Sequence, residues 1–176
     1  VEKSRANKRN LFKRRGRRKG KMCLLRKPCV ITVSGPEDTR KSTTLIKLIN
    51  HYYSNQKCPV YLYEEKTGAF ASKPISSKLA LPPPDYLVYL ILPNGMKCGV
   101  STGGDDAKHV NDALKKLKRE NCDFYITATR TGLSQSFMRA EDFANNNGYE
   151  FLPIVKSRSN HNSSVNLYLL LFSLIK

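Results

Sequence analysis

Apolar positions along this chain change period several times, and each change predicts a new element. Val30-Ile31-Thr32-Val33 is a β-branched run that predicts a strand closing at Gly35-Pro36, and from Ser42 onward Leu45, Ile46, Leu48 and Ile49 recur at helical spacing. Pro59-Val60-Tyr61-Leu62-Tyr63 predicts a second strand, ending in Glu64-Glu65. Residues 66–84 keep no clear period and contain Gly68, Pro74 and Pro82-Pro83-Pro84, so they predict a long loop. Two β-rich runs, 86–92 and 97–101, flank Pro93-Asn94-Gly95-Met96, and Asn-Gly in that position predicts an antiparallel hairpin. Val110, Ala113, Leu114 and Leu117 then mark one face of a helix, residues 123–129 a strand, and Leu133, Phe137, Ala140 and Ala144 another helix stopped by Asn145-Asn146-Asn147-Gly148. Residues 149–155 supply a last strand, 156–164 a polar loop and 165–175 an apolar terminal helix. Alternating strands and helices predict an α/β sandwich of three layers with a mostly parallel central sheet, the hairpin being its antiparallel insertion.

Charge divides the chain in two. Of 31 Lys and Arg against 14 Asp and Glu, thirteen basic residues and one acid fall in residues 1–27, so +12 of the formal +17 belongs to that stretch. A run this basic and this poor in apolar residues cannot order itself by burial, which predicts a flexible arm at 1–27 followed by one domain over 28–176. Residues 3–27 suit phosphates of nucleic acid or another polyanion, a solvated tail being the plainer alternative. Five cysteines in no C-x-x-C pair and odd in number argue for reduced thiols and against both a disulfide framework and a zinc site. No apolar stretch reaches the length of a transmembrane helix. An intracellular protein is expected, cytoplasmic, or nuclear if its source is eukaryotic or viral.

Candidate chemistry centres on Gly35-Pro36-Glu37-Asp38-Thr39-Arg40-Lys41-Ser42-Thr43, between the first strand and the first helix. Amide groups at a helix N-terminus attract anions, a lysine can reach terminal phosphates, and a hydroxyl can hold Mg²⁺. The frame G-x-x-x-x-R-K-S in this context resembles the phosphate-binding loop of P-loop NTPases, and its wording is most like that of the small nucleoside and nucleotide kinases. That resemblance implies a P-loop NTPase-like fold, ATP or GTP with Mg²⁺ as the ligand, and kinase or NTPase activity. Residues 35–43 would then line the nucleotide, with Lys41 on the β and γ phosphates and Ser42 on the metal. Arg40 stands where the motif has its second Gly. Either its side chain points outward and helps hold the anion, or it crowds the cradle.

Two further positions follow from the same resemblance, and a third from its place at a strand end. Glu64, or its neighbour Glu65, would be the base for the acceptor hydroxyl, with a charged pair closing a strand as the alternative. Asp105, in Gly103-Gly104-Asp105-Asp106, would help hold the metal, with capping of the following helix by Asp105 or Asp106 as the alternative. Arg130, at the end of a strand, would grip phosphate or base, with an exposed arginine as the plainer reading. Lys73 and Lys78 in the long loop would meet an anionic acceptor if that loop is a lid. A second function class stays open: a catalytically weak or inactive module on the same scaffold that binds nucleic acid through its basic arm.

Overall fold

The structure, a computed structural model, describes residues 28–156 other than 38, 83 and 133. The basic arm and the terminal apolar helix expected at 165–175 lie outside the described residues, as does Asp38. Seven strands, β1 (Cys29–Ser34), β2 (Val60–Glu64), β3 (Ala69–Phe70), β4 (Leu87–Ile91), β5 (Lys97–Ser101), β6 (Phe124–Thr129) and β7 (Glu150–Val155), form one sheet in the order β3-β2-β4-β5-β6-β1-β7. Three helices accompany them: α1 (Lys41–Asn55), α2 (Ala107–Arg119) and α3 (Gln135–Asn146).

The expected hairpin forms, with Leu87 opposite Ser101 and Ile91 opposite Lys97. The expectation of a mostly parallel sheet is corrected. Parallel pairing joins β5, β6, β1 and β7, whereas β4 runs antiparallel to β5, β2 to β4 and β3 to β2, so the α/β sheet is mixed in equal shares. Hairpin geometry is the physical reason: a tight turn can only reverse direction, and once β4 is reversed the next strand pairs with its free edge.

Alternation decides which helix packs on which face. Cys29, Ile31 and Val33 of β1, with Phe124, Ile126 and Ala128 of β6, point to the face covered by Leu45, Ile46, Leu48 and Ile49 of α1. Val30 and Tyr125 point to the other face, where Val110, Leu114 and Leu117 of α2 meet Ala140 and Phe143 of α3. Each fully buried aliphatic side chain contributes about 1.5–3 kcal/mol relative to exposure, so the helices are held by these stripes. Cys29, Cys58, Cys98 and Cys122 are buried and free, and burial pushes Cys29 up to about 11 and Cys122 up to about 12, which suits packing residues and not reactive thiols.

Ser34, Ser101 and Thr129 end their strands at one edge of the sheet, because β1, β5 and β6 are parallel. The long loop is pinned on the α1 side instead of standing over that edge. Asn50 of α1 holds Leu79 by Nδ2 to the Leu79 carbonyl at 3.0 Å and by Oδ1 from the Leu79 N–H at 2.8 Å, nine residues and about 14 Å along the helix from Lys41. Lys73 and Lys78 are exposed on it. Among the described residues no helix is long and apolar enough to cross a membrane.

Candidate functional site

Where β1 gives way to α1 the chain turns through residues 35–40, and the turn is closed around Lys41. Lys41 is only 8% exposed, and its Nζ donates to the Gly35 carbonyl at 3.0 Å and the Pro36 carbonyl at 2.8 Å. Thr39 Oγ1 donates to the Pro36 carbonyl at 2.8 Å, which keeps the turn narrow. The ammonium therefore sits inside the curl of the loop at the first helical position. Amides of that first turn have no acceptor within the helix and carry the positive end of its dipole.

Arg40 has the left-handed conformation, φ 55 and ψ 36, and gives α1 no side-chain cap. A non-glycine residue held there costs on the order of 1–3 kcal/mol, so something must hold it. Its carbonyl accepts from three donors: the Thr44 N–H at 3.0 Å, Thr44 Oγ1 at 3.0 Å and Lys156 Nζ at 3.2 Å. The Arg40 side chain is exposed, and Lys41 fills the concavity.

Lys156 had no place in the expectations, and it is the strut of the loop. Its N–H donates to the Ser34 carbonyl at 2.7 Å, its own carbonyl lies 2.5 Å from where a Gly35 Cβ would be, and its Nζ also donates to Thr44 Oγ1 at 2.9 Å. One residue thus braces both ends of the turn, and Gly35 is required by that close approach. The only signal in the sequence is a lysine directly after an apolar strand, which says nothing of what it touches. Burial, then Lys41, Arg40 and Lys47, lower its pKa from 10.5 to about 8. The folded protein releases this proton near pH 8 and the unfolded chain near 10.5, so between those values the unfolded state binds more protons and the group's contribution to stability rises with pH. Urea unfolding of wild type and Lys156→Met across that window should show the rise in wild type only. Parallel pH profiles would remove Lys156 as its source.

A cavity of about 250 Å³ opens beside the loop and is lined by Lys41, Ser42, Thr43, Asp105 and, from across the sheet edge, Asp85 and Thr102. Ser42 Oγ donates to the Thr102 carbonyl at 2.8 Å, tying the helix start to the end of β5. Asp106 caps α2, accepting from the His109 N–H at 3.1 Å, which leaves Asp105 for the cavity. Arg130 reaches over it: Nε lies 3.3 Å from Asp105 Oδ1 and Nη2 3.6 Å from Glu37 Oε1. These pairs are well exposed, so the clasp is weak and an anion can compete for the guanidinium.

Gly35, Pro36, Glu37, Thr39, Arg40, Lys41, Ser42, Thr43, Asp105 and Arg130 therefore come together. Glu64 does not. It ends β2, separated from β1 by β4, β5 and β6, four strand spacings or about 19 Å, and is exposed beside Thr67. The structure therefore does not bring Glu64 together with the loop. Its neighbour Glu65 is exposed and paired with Lys116 at 3.5 Å. Among the described residues no group of three or more His, Cys, Asp and Glu could hold a metal unaided. Mg²⁺ carried by a nucleotide needs only one or two protein ligands, and the Ser42 hydroxyl and Asp105 carboxylate in one cavity fit that demand. No family model, curated protein or solved structure matches the chain.

Proposed function

We propose that residues 35–43 are a phosphate-binding loop of P-loop NTPase type, that its ligand is ATP or GTP with Mg²⁺, and that the protein is a small kinase or NTPase. One observation carries the reading: a buried lysine at the first position of a helix, its ammonium inside the preceding turn and in one cavity with a hydroxyl and a carboxylate. Lys41 would meet the β and γ phosphates in place of the Gly35 and Pro36 carbonyls, and the first amides of α1 would cradle them. Ser42 and Asp105 would hold Mg²⁺, which when bound neutralises phosphate charge. Arg130 would leave Glu37 and Asp105 for the nucleotide. Phosphoryl transfer asks little of a protein beyond such positioning.

Topology supports the location. From β1 the chain runs to strands on one side, and after β6 it crosses to β7 on the other, so the loop sits at the carboxyl end of β1 where strand order reverses. Open α/β sheets hold their ligands in such crevices. Arg40 supports the loop type as well, since it takes the left-handed conformation open to the Gly it replaces.

The direct test is equilibrium titration of the full chain with ATP and with GTP, each with and without Mg²⁺. Micromolar to submillimolar binding that strengthens with Mg²⁺ is expected; no signal at millimolar triphosphate sinks the reading. The basic stretch favours an added nucleic-acid function, since it holds +12 of the net charge. Removing residues 1–27 should flatten the salt dependence of polyanion binding and spare nucleotide binding.

A further inference from the structure

A second cavity, of about 320 Å³, lies between α2 and the β2–β4 part of the sheet, and Asp85 lines both it and the loop cavity. The joint between the two is fixed. Thr102, whose carbonyl accepts from Ser42, donates its N–H to the Tyr86 carbonyl at 2.9 Å and accepts the Tyr86 N–H on Oγ1 at 2.7 Å. Gly103 follows, and a Cβ there would stand 2.9 Å from both the Asp85 carboxylate and His109 Nε2. Absence of that Cβ lets the two groups converge on one point between the cavities.

The walls say what the second cavity accepts. Tyr63 and Tyr86 give ring surface, Glu65, Asp85 and Asp112 give three carboxylates, and His109 gives an imidazole. Its one ammonium, Lys116, is already committed to Glu65 at 3.5 Å and to the Tyr63 ring at 4.0 Å from the centroid. The other two, Asp85 and Asp112, make no ion pair with a lysine or arginine among the described residues, and beside aromatic rings they attract an organic cation and repel a phosphate ester. The volume is at the small end for ligand pockets and suits a single ring.

We propose that this cavity is an acceptor site for a hydroxyl-bearing organic amine of single-ring size, an amino alcohol or amino sugar, with Asp85 between it and the loop. Amine binding stands on this cavity alone; the transfer step rests on the phosphate-loop reading. In that step the acceptor oxygen bonds to the terminal phosphorus as the bond from that phosphorus to the bridging oxygen breaks. The nucleoside diphosphate leaves with the electron pair, and Asp85 takes the hydroxyl proton.

Calorimetric titration of the full chain with glucosamine, glucose and glucosamine 6-phosphate separates charge from shape. Protonated glucosamine should bind about tenfold or more tightly than glucose, and the phosphate ester least. Asp85→Asn and Asp112→Asn should each erase most of that preference, as should Gly103→Ala by displacing Asp85 and His109. Equal binding of the three sugars, no binding of glucosamine at tens of millimolar, or an unchanged preference in both Asp variants overturns the proposal. ATP titrated into the same wild-type protein keeps the two readings apart. Glucosamine binding without ATP binding retains the cavity and discards the phosphate loop; ATP binding without glucosamine binding does the reverse.

Discussion

Gly104→Ala should cost about 3 kcal/mol or more of folding stability, since its Cβ would make the closest approach of any described glycine's. A Cβ at 104 would stand 1.9 Å from the Ala128 carbonyl oxygen, 2.2 Å from its carbon and 2.9 Å from the Thr129 nitrogen. All three are backbone atoms of β6, and β6 is locked between β1 and β5, so β6 cannot yield without breaking a parallel ladder. Gly132→Ala is the matched control, because the new Cβ would meet only the Phe137 ring at 3.9 Å. Urea unfolding should place the Gly104→Ala midpoint lower by about 1 M or more, with Gly132→Ala close to wild type. Equal midpoints would mean that the segment after β5 does not approach β6 at Gly104 as described. The same contact bears on function, since Gly104 lines the loop cavity and the strand end it would push carries Arg130.

Local features of this kind divide what was legible in the sequence from what was not. The hairpin at Asn94-Gly95 was legible because turn chemistry and flanking β-branched residues act within a dozen positions. So was the strand–loop–helix around Lys41, where a β-branched run gives way to apolar residues at helical spacing. Strand order was not, because β2 carries an apolar alternation compatible with either direction, and its partner is set by which edge the hairpin leaves open. The place of Glu64 is that failure carried into the site: the residue type suits a base, and only the strand order shows that three strands stand between it and the loop. Asp105 and Asp106 are neighbours of one type, and only the backbone geometry at the start of α2 assigns the cap to one and the cavity to the other. Asp85, Thr102 and Lys156 lie 44, 61 and 115 positions from Lys41, in stretches whose local pattern is an ordinary loop or strand end. Contacts over such separations leave no period to read.

Lys41→Ala should weaken triphosphate binding by about 10- to 100-fold, the range of one charge-assisted contact of 1.5–3 kcal/mol. The buried ammonium has two roles that the variant separates. In the free protein it satisfies the Gly35 and Pro36 carbonyls, and in the proposed complex it exchanges them for phosphate oxygens that carry full charge. If only the first role existed, removal would loosen the turn and lower stability while affinity followed the fraction of molecules folded. Lys41→Met isolates the second role, because its stem still fills the curl and its thioether brings no charge. Both variants should keep most of the wild-type unfolding midpoint, lose affinity for ATP and GTP alike, and lose most of the gain that Mg²⁺ gives. Substitutions at the base-binding side of a nucleotide would discriminate between the two purines; loss of the phosphate contact does not. A folded Lys41→Met protein that binds ATP as tightly as wild type leaves the lysine as a brace for the turn, and phosphate recognition would then have to come from Arg40, Arg130 and the amides of α1.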